Sequence, residues 1–326
     1  MDMKRWSDGR TVSCVGLGTW QLGADWGEVS EADAHAVIDA AVGAGVTFLD
    51  TADVYGDGRS EQIIGSYLEE NPGLDLFVAT KMGRRVDQVP EAYNLEAFRG
   101  WTDRSRRNLG VERLDLVQLH CPPSAVFEDD EVFDALDTLV EEGVVKQYGV
   151  SVEKRSEALR ALERPGLASI QIIVNAFRLA PLDDVIPAAA ERGVSIIARV
   201  PLASGLLSGR YTLDTTFAAD DHRTYNRHGE AFDVGETFAG VDYARGVAAA
   251  QELAGAVPAG MTLAQASIAW LTEQAGITTV IPGGRSPEQV RANAAAGELG
   301  PLPASFDAAV HDVYDRLIRA DVHDRW

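Results

Sequence analysis

Three short apolar runs each end on a side chain suited to proton chemistry. Asp50 closes Val46-Thr47-Phe48-Leu49, Lys81 closes Leu76-Phe77-Val78-Ala79-Thr80, and His120 closes the run that begins at Leu114. Tyr55 lies just past Asp50, ahead of the turn Gly56-Asp57-Gly58. A phenol has a reference pKa of about 10, too high for a ready acid or base near neutrality. A nearby ammonium favours the phenolate and lowers that value. A carboxylate paired with the ammonium keeps its desolvation tolerable. A histidine beside the phenol can orient a substrate oxygen. Together they could protonate an alkoxide as hydride arrives from the other side, which is the chemistry of carbonyl reduction. Singly, each has a plainer reading: Asp50 caps a turn, Tyr55 packs on its loop, Lys81 snorkels at a rim, and His120 orders Cys121-Pro122-Pro123. Their recurrence at three successive strand ends favours chemistry.

Such convergence needs a scaffold that puts those ends side by side. After a hairpin around Asp8-Gly9, the chain alternates short apolar strands with helices. Strands are expected at 15–18, 46–50, 76–81, 114–120, 147–151, 169–175, 194–200 and 277–281. Helices are expected at 31–44, 60–70, 94–109, 130–142, 156–162, 182–192, 242–256 and 262–274, and from Ser286-Pro287, a capped start with proline at the first helical position. The strands read as continuously apolar, as when both faces are covered. This pattern predicts an α/β fold, a (β/α)8 TIM barrel with an N-terminal β-hairpin, a long polar loop after strand seven (about 201–240) and an extra C-terminal helix within 303–326. The 326 residues fit one barrel domain, 1–326, without a linker. An open doubly wound sheet is the alternative. It is weakened because Gly16-x-Gly18 has Gln21 where a third glycine would complete a dinucleotide-binding turn. In a barrel the C-terminal strand ends form the active face, and neighbouring strands about 4.8 Å apart let these side chains converge.

A formal charge of −21 opposes nucleic acid as a partner. The two cysteines, Cys14 and Cys121, have no zinc or redox-pair spacing and read as reduced thiols. No apolar run approaches the roughly 18 residues of a membrane helix, and the first residues carry no apolar signal core. A cytoplasmic enzyme without a membrane partner is expected.

The stretch Asp50-Thr51-Ala52-x-x-Tyr55-Gly56, Lys81 after Val78-Ala79-Thr80, and Asp115-Leu116-Val117-Gln118-Leu119-His120 resemble the aldo-keto reductase family. The resemblance runs from the hairpin to about Ala296. It implies an NAD(P)H-dependent oxidoreductase acting on a small aldehyde or ketone, with Tyr55 as general acid assisted by Lys81, Asp50 and His120. It also implies a nicotinamide site at Thr19, Trp20, Ser151 and Gln171, with Arg199 where a stacking residue stands. Family members often carry Asn after that serine, and this chain has Val152. The segment containing Leu202, Ser204, Gly205 and Arg210 resembles the loop over the pyrophosphate. Gly283, Arg285, Gln289 and Asn293 resemble the adenosine-phosphate site. Arg285 suggests NADPH/NADP+ over NADH, because a 2′-phosphate gains a charge-assisted bond of about 1.5–3 kcal/mol. Arg223 and Arg227 could add to that attraction. Trp20, Trp26 and Met82 are candidates for the substrate-pocket wall.

Two rival readings remain: a cofactor-binding sensor with little turnover, and a lyase using Lys81 as a Schiff base. Retention of all four strand-end groups opposes the first, and Asp50 beside Lys81 opposes the second. A metal hydrolase would need paired histidines that the sequence lacks.

Overall fold

The computed structural model describes residues 1–23 and 29–326. A hairpin of β1 (Met3–Arg5) and β2 (Thr11–Ser13) precedes eight parallel strands: β3 (Leu17–Gly18), β4 (Phe48–Asp50), β5 (Phe77–Met82), β6 (Leu116–His120), β7 (Tyr148–Ser151), β8 (Leu167–Ile173), β9 (Ser195–Arg199) and β10 (Ile277–Val280). Their spatial order follows the sequence. Parallel bridges Val15↔Val280 and Gly18↔Gly283 join the first strand to the last and close the barrel. Helices α1 (Glu31–Gly43), α2 (Arg59–Glu70), α3 (Leu95–Leu109), α4 (Asp130–Glu141), α5 (Arg155–Ala161) and α6 (Val185–Glu191) follow successive strands. After β9 come α7 (His222–Tyr225), α8 (Tyr243–Ala254) and α9 (Leu263–Glu273); after β10, α10 (Pro287–Ala295), α11 (Ala304–Val313) and α12 (Arg319–Val322). Among the described residues, no helix is long and apolar enough to cross a membrane.

The helix starts follow their caps. Ser30 accepts from the Asp33 amide, Thr262 and Gln265 form a reciprocal capping box, and Ser286 accepts from the Gln289 amide ahead of Pro287. The structure adds detail to two expected features. The 201–240 segment is more than a polar loop: it contains α7 and several 3-10 turns, and it buries Phe238 and Asn226. The extra C-terminal helix contains a π-helical stretch, Tyr314–Ile318, between α11 and α12.

Two apolar layers set where the polar side chains go. The larger lies between strands and helices. The smaller fills the barrel interior with Trp6, Phe48, Phe77, Ala79, Leu116 and Ile197 among its members. Trp6, just past β1, plugs the N-terminal end, its ring 5.0 Å from Phe77 and 5.6 Å from Phe48. Its indole Nε1 donates to Gln147 at 2.7 Å. Counting by two from this plug keeps each residue inside the barrel. Phe48 leads to Asp50, Phe77 to Lys81, Leu116 to His120, and Ile197 to Arg199. The interior is therefore apolar below and polar above, and the polar layer meets at the C-terminal face.

Candidate active site

Lys81 is the centre of that layer, with a relative exposure of 1 %. Its Nζ donates to Asp50 Oδ2 at 2.5 Å, to the Thr51 carbonyl at 2.8 Å and to the Tyr55 hydroxyl at 3.3 Å. All three ammonium hydrogens are thus used. Burial pulls the Lys81 pKa down, but Asp50 and then Tyr55 outweigh it, so the group stays above its ordinary value and charged. Asp50 Oδ1 accepts from Gln171 Nε2 at 2.7 Å, which fixes the carboxylate from the other side.

Tyr55 is delivered by a tight turn rather than by a strand. The Asp53 amide donates to the Lys81 carbonyl at 3.1 Å, and Ser60 closes the turn on the Tyr55 carbonyl at 3.2 Å. Gly56 sits at φ +59°, and a Cβ there would lie 1.6 Å from the Gly23 carbonyl oxygen, so only glycine fits. The phenol behaves differently from the sequence expectation. Burial raises its pKa by more than Lys81 lowers it, and the net shift is upward. At neutral pH Tyr55 holds its proton. The His120 ring stands edge-on to Tyr55 at 5.9 Å between centroids. Burial, then Arg84 and Lys81, hold the imidazole well below its ordinary pKa, so it is neutral. Its Nδ1 is buried with no hydrogen-bond partner among the described residues.

Asp50 and Tyr55 line a cavity of about 850 Å³, while Lys81 and His120 are buried behind them and are not lining residues. Asp50, Tyr55, Gln171, Thr19, Trp20 and Arg199 line the end near the barrel axis. Leu202, Ser204, Gly205 and Arg210 line one side, and Gly283, Arg285, Gln289 and Asn293 the far end beside the start of α10. Gln289 Oε1 accepts from the Arg285 amide at 2.9 Å, and Asn293 Nδ2 donates to the Gly283 carbonyl at 3.1 Å, so both shape that turn. Arg223 also reaches the cavity, held by Asp221 and Tyr211, and it depresses the Arg285 pKa after burial does. Two guanidinium groups therefore face one region. Arg227 instead packs over the Tyr243 and Phe238 rings at 4.8 and 5.2 Å and is absent from the lining.

Other expectations fall elsewhere. Met82 is fully buried in the layer between strands and helices, because it follows inward-facing Lys81 by one residue and so points outward. It does not wall the cavity. Ser151 is buried beside Cys121, with Oγ 3.6 Å from the thiol, and is not a lining residue. Trp26 lies outside the described residues. Asn175, on the face of Gln171, donates to the Val200 carbonyl at 2.9 Å and accepts from the Phe177 amide at 2.9 Å, a loop-shaping pattern.

A second charged cluster adjoins the first. Arg84 Nη2 donates to Glu236 Oε1 at 2.9 Å. Arg199 Nη2 donates to Glu153 Oε1 at 2.7 Å and to the Val152 carbonyl at 3.1 Å, and its Nη1 lies 3.8 Å from Glu236 Oε1. Arg199 is thus a cavity-wall guanidinium that has the Glu236 carboxylate as its counter-charge, shared with Arg84, and the Glu153 carboxyl as a hydrogen-bond acceptor. Burial works against Glu236, yet Arg84 and Arg199 hold it well below the usual carboxylate range. Glu153 is pushed up to about 8 by burial, against Arg199, with Glu236 adding to the rise. Arg84 follows Lys81 closely and Glu153 follows Ser151 by period two, so each left a faint trace in the sequence. Glu236, in the 201–240 segment, left none.

The closed (β/α)8 barrel carries a buried Lys–Asp pair and a phenol at its C-terminal face. The Aldo/keto reductase family model matches residues 14–315, and the chain belongs to that family of oxidoreductases. An uncharacterized oxidoreductase of Mycobacterium tuberculosis is 32% identical over 306 residues, covering 91% of this chain and 88% of that one. The solved glycerol dehydrogenase AKR11B4 from Gluconobacter oxydans is 28% identical, with a TM-score of 0.79 over 100% of this chain and 97% of the other. The holo form of the aldo-keto reductase AKR11C1 from Bacillus halodurans is 25% identical, with a TM-score of 0.78 over 100% and 99%. An aldo-keto reductase from Klebsiella pneumoniae, solved in complex with NADPH, shares the fold at a TM-score of 0.71 and 24% identity.

Proposed function

We propose that this chain is an NADPH-dependent carbonyl reductase that converts an aldehyde or ketone to an alcohol, with residues 1–326 acting as one barrel domain. The observation that carries this reading is the Lys81 ammonium bound at once to the Asp50 carboxylate and the Tyr55 hydroxyl, 2.5 and 3.3 Å away, with Asp50 and Tyr55 both lining the cavity. The lining suits a nicotinamide dinucleotide. Amide and hydroxyl groups (Gln171, Thr19) stand at the Tyr55 end, and Arg210, Arg223 and Arg285 with the start of α10 at the other. When bound, that cofactor supplies the hydride.

The protein's own residues supply the rest. Tyr55, protonated because burial dominates its pKa, gives its proton to the alkoxide oxygen as charge develops there. Lys81 steadies the resulting phenolate, and Asp50 with Gln171 keeps Lys81 in place. Neutral His120 orients the carbonyl oxygen rather than competing as the acid. Arg199 offers a planar face for a ring, with the Glu236 carboxylate as its counter-charge. Arg285, with Arg223, favours a 2′-phosphate.

The test is a panel of aldehydes and ketones with NADPH and NADH, followed at the nicotinamide absorbance band. NADPH oxidation that depends on the carbonyl compound and is lost in Tyr55→Phe supports the reading. NADPH binding without turnover across the whole panel overturns it.

A further inference from the structure

Glu153 is a buried carboxyl group to which the proposed chemistry gives no role. It does not line the cavity, but it touches Arg199, which does. Its backbone is fixed on both sides: the amide donates to Glu157 Oε2 at 3.2 Å, and the carbonyl accepts from Arg178 Nη2 at 3.0 Å. Glu236 faces it from the 201–240 segment, and the two carboxyl groups share a side-chain hydrogen bond. Two ionised carboxylates cannot make such a bond, so the pair holds a proton. Glu236 is itself held in place. Ser204 Oγ donates to its carbonyl at 3.1 Å, and nearby Trp326 donates from Nε1 to Asp233 at 2.8 Å. Burial opposes ionisation of Glu236, but Arg84 and then Arg199 overcome it. Glu153 therefore carries the proton. Burial pushes it up to about 8, against Arg199, with Glu236 and then Asp233 adding to the rise. Its other neighbours keep their charge state near that pH. Burial lifts Cys121, at the exit of β6, to about 12, and Arg178, past β8, stays cationic. Lys154, beside Glu153 in the chain, turns to Ser124 and Glu157.

We propose that Glu153 is a tuning residue that acts through Arg199: protonated, it makes the cavity prefer NADPH, and ionised, it shifts the preference toward NADP+. The inference rests on the carbonyl-reductase reading above, with Arg199 beside the nicotinamide ring. The two cofactor forms carry the same phosphates, so Arg210, Arg223 and Arg285 do not tell them apart. They differ by one positive charge on the ring. While Glu153 is neutral, Arg84 and Arg199 share the Glu236 carboxylate, and the excess positive charge at the wall opposes a cationic ring. Loss of the Glu153 proton puts a second carboxylate on Arg199 and removes that excess. By linkage the effect is reciprocal, so binding of NADP+ favours release of the proton.

The test measures two dissociation constants between pH 6 and 9, NADPH by its fluorescence and NADP+ by displacement of NADPH. Their ratio, Kd of NADP+ over Kd of NADPH, cancels any titration of the phosphates. In the wild type it is expected to fall about 3- to 30-fold as pH rises, the range one added charge gives at the wall of a partly hydrated cavity. In Glu153→Gln the carboxamide imitates the protonated acid, accepting from Arg199 and donating to Glu236, and it cannot ionise. The ratio should then stay near the wild-type low-pH value throughout. A merely structural role would change both affinities together and leave the pH dependence of the ratio intact. A second readout needs no variant: in weak buffer at pH 8, NADP+ should release protons in excess of NADPH. A wild-type ratio that is flat with pH overturns the assignment, as does a pH dependence that persists in folded Glu153→Gln. Binding of neither cofactor form is a different failure, that of the carbonyl-reductase reading itself.

Discussion

The two buried charge clusters at the barrel mouth use the same physics and are assembled in opposite ways. Asp50, Tyr55 and Lys81 come from two adjacent strands and the short turn between them, and every contact is set by the parallel register Asp50↔Ala79. Arg84, Glu153, Arg199 and Glu236 come from the exits of β5, β7 and β9 and from the 201–240 segment, Glu236 lying 152 positions after Arg84. Around the second cluster the backbone takes unusual conformations: Val200, Ala203, Ser204, Phe238 and Ala239 all have positive φ, between 47° and 58°. Such residues cost energy and persist only where surroundings over-determine them. The first cluster, which the proposed function assigns to chemistry, needs two strand ends and one turn that only glycine permits. The second depends on strained loops.

The sharpest way to break this division is to remove the proton alone. Tyr55→Phe keeps the ring and its Trp20 contact, so kcat is expected to fall about 10²- to 10⁴-fold while NADPH affinity in fluorescence titration changes less than about twofold. A comparable loss of cofactor affinity would mean the first cluster serves binding rather than proton transfer.

The second cluster should respond through stability. Arg199→Met leaves Glu153 and Glu236 to share one arginine, Arg84, and breaking a buried pair costs roughly 3–5 kcal/mol. Denaturant unfolding is expected to show a loss of that order. A loss below about 1 kcal/mol would mean that water reaches these carboxylates.

The same contrast explains what could be read from the sequence. Asp50, Lys81 and His120 each end an apolar run, and period-two spacing from Phe48, Phe77 and Leu116 puts them inside the barrel. Met82 was misread because apolar character suggested a pocket wall, while strand alternation sends it to the outer layer. The direction of the Tyr55 pKa was also misread. A pairwise argument counted Lys81 and omitted the burial that the closed barrel imposes. Glu236 could not be found at all: nothing in Asp233-Val234-Gly235-Glu236 shows that Trp326 and Ser204 will hold it against Arg84.

Cofactor discrimination sharpens the comparison at the far end of the cavity. Arg285→Ala is expected to raise the NADPH dissociation constant about 10- to 100-fold, from loss of one charge-assisted bond, with NADH changed less than about threefold. If both cofactors weaken equally, Arg285 supports the turn that Gln289 and Asn293 shape rather than a 2′-phosphate.

The smallest expected effect concerns pH, and it separates the clusters by their titration windows. Each region holds one buried carboxyl with a raised pKa. Under the Tyr55 turn, burial and then Glu61 push Asp53 from 3.8 up to about 7, and its Oδ1 has no hydrogen-bond partner among the described residues. In the second cluster, burial lifts Glu153 from 4.5 to about 8. In each case the folded protein keeps a proton that the unfolded chain has already released. Stability is therefore fully present below the unfolded pKa and is lost as pH rises through the folded one. Asp53→Asn should remove the part of that decline between about pH 4 and 7, worth roughly 1–2 kcal/mol once relaxation around the charge is allowed for. Glu153→Gln should remove the part that continues to about pH 8, whatever it does to absolute stability through Arg199. Thermal midpoints between pH 4 and 9 would show the two variants flattening over different windows. Curves parallel to wild type would mean that both carboxyl groups are ionised in the folded protein, and that Asp53 and Glu153 have partners the hydrogen-bond geometry does not reveal.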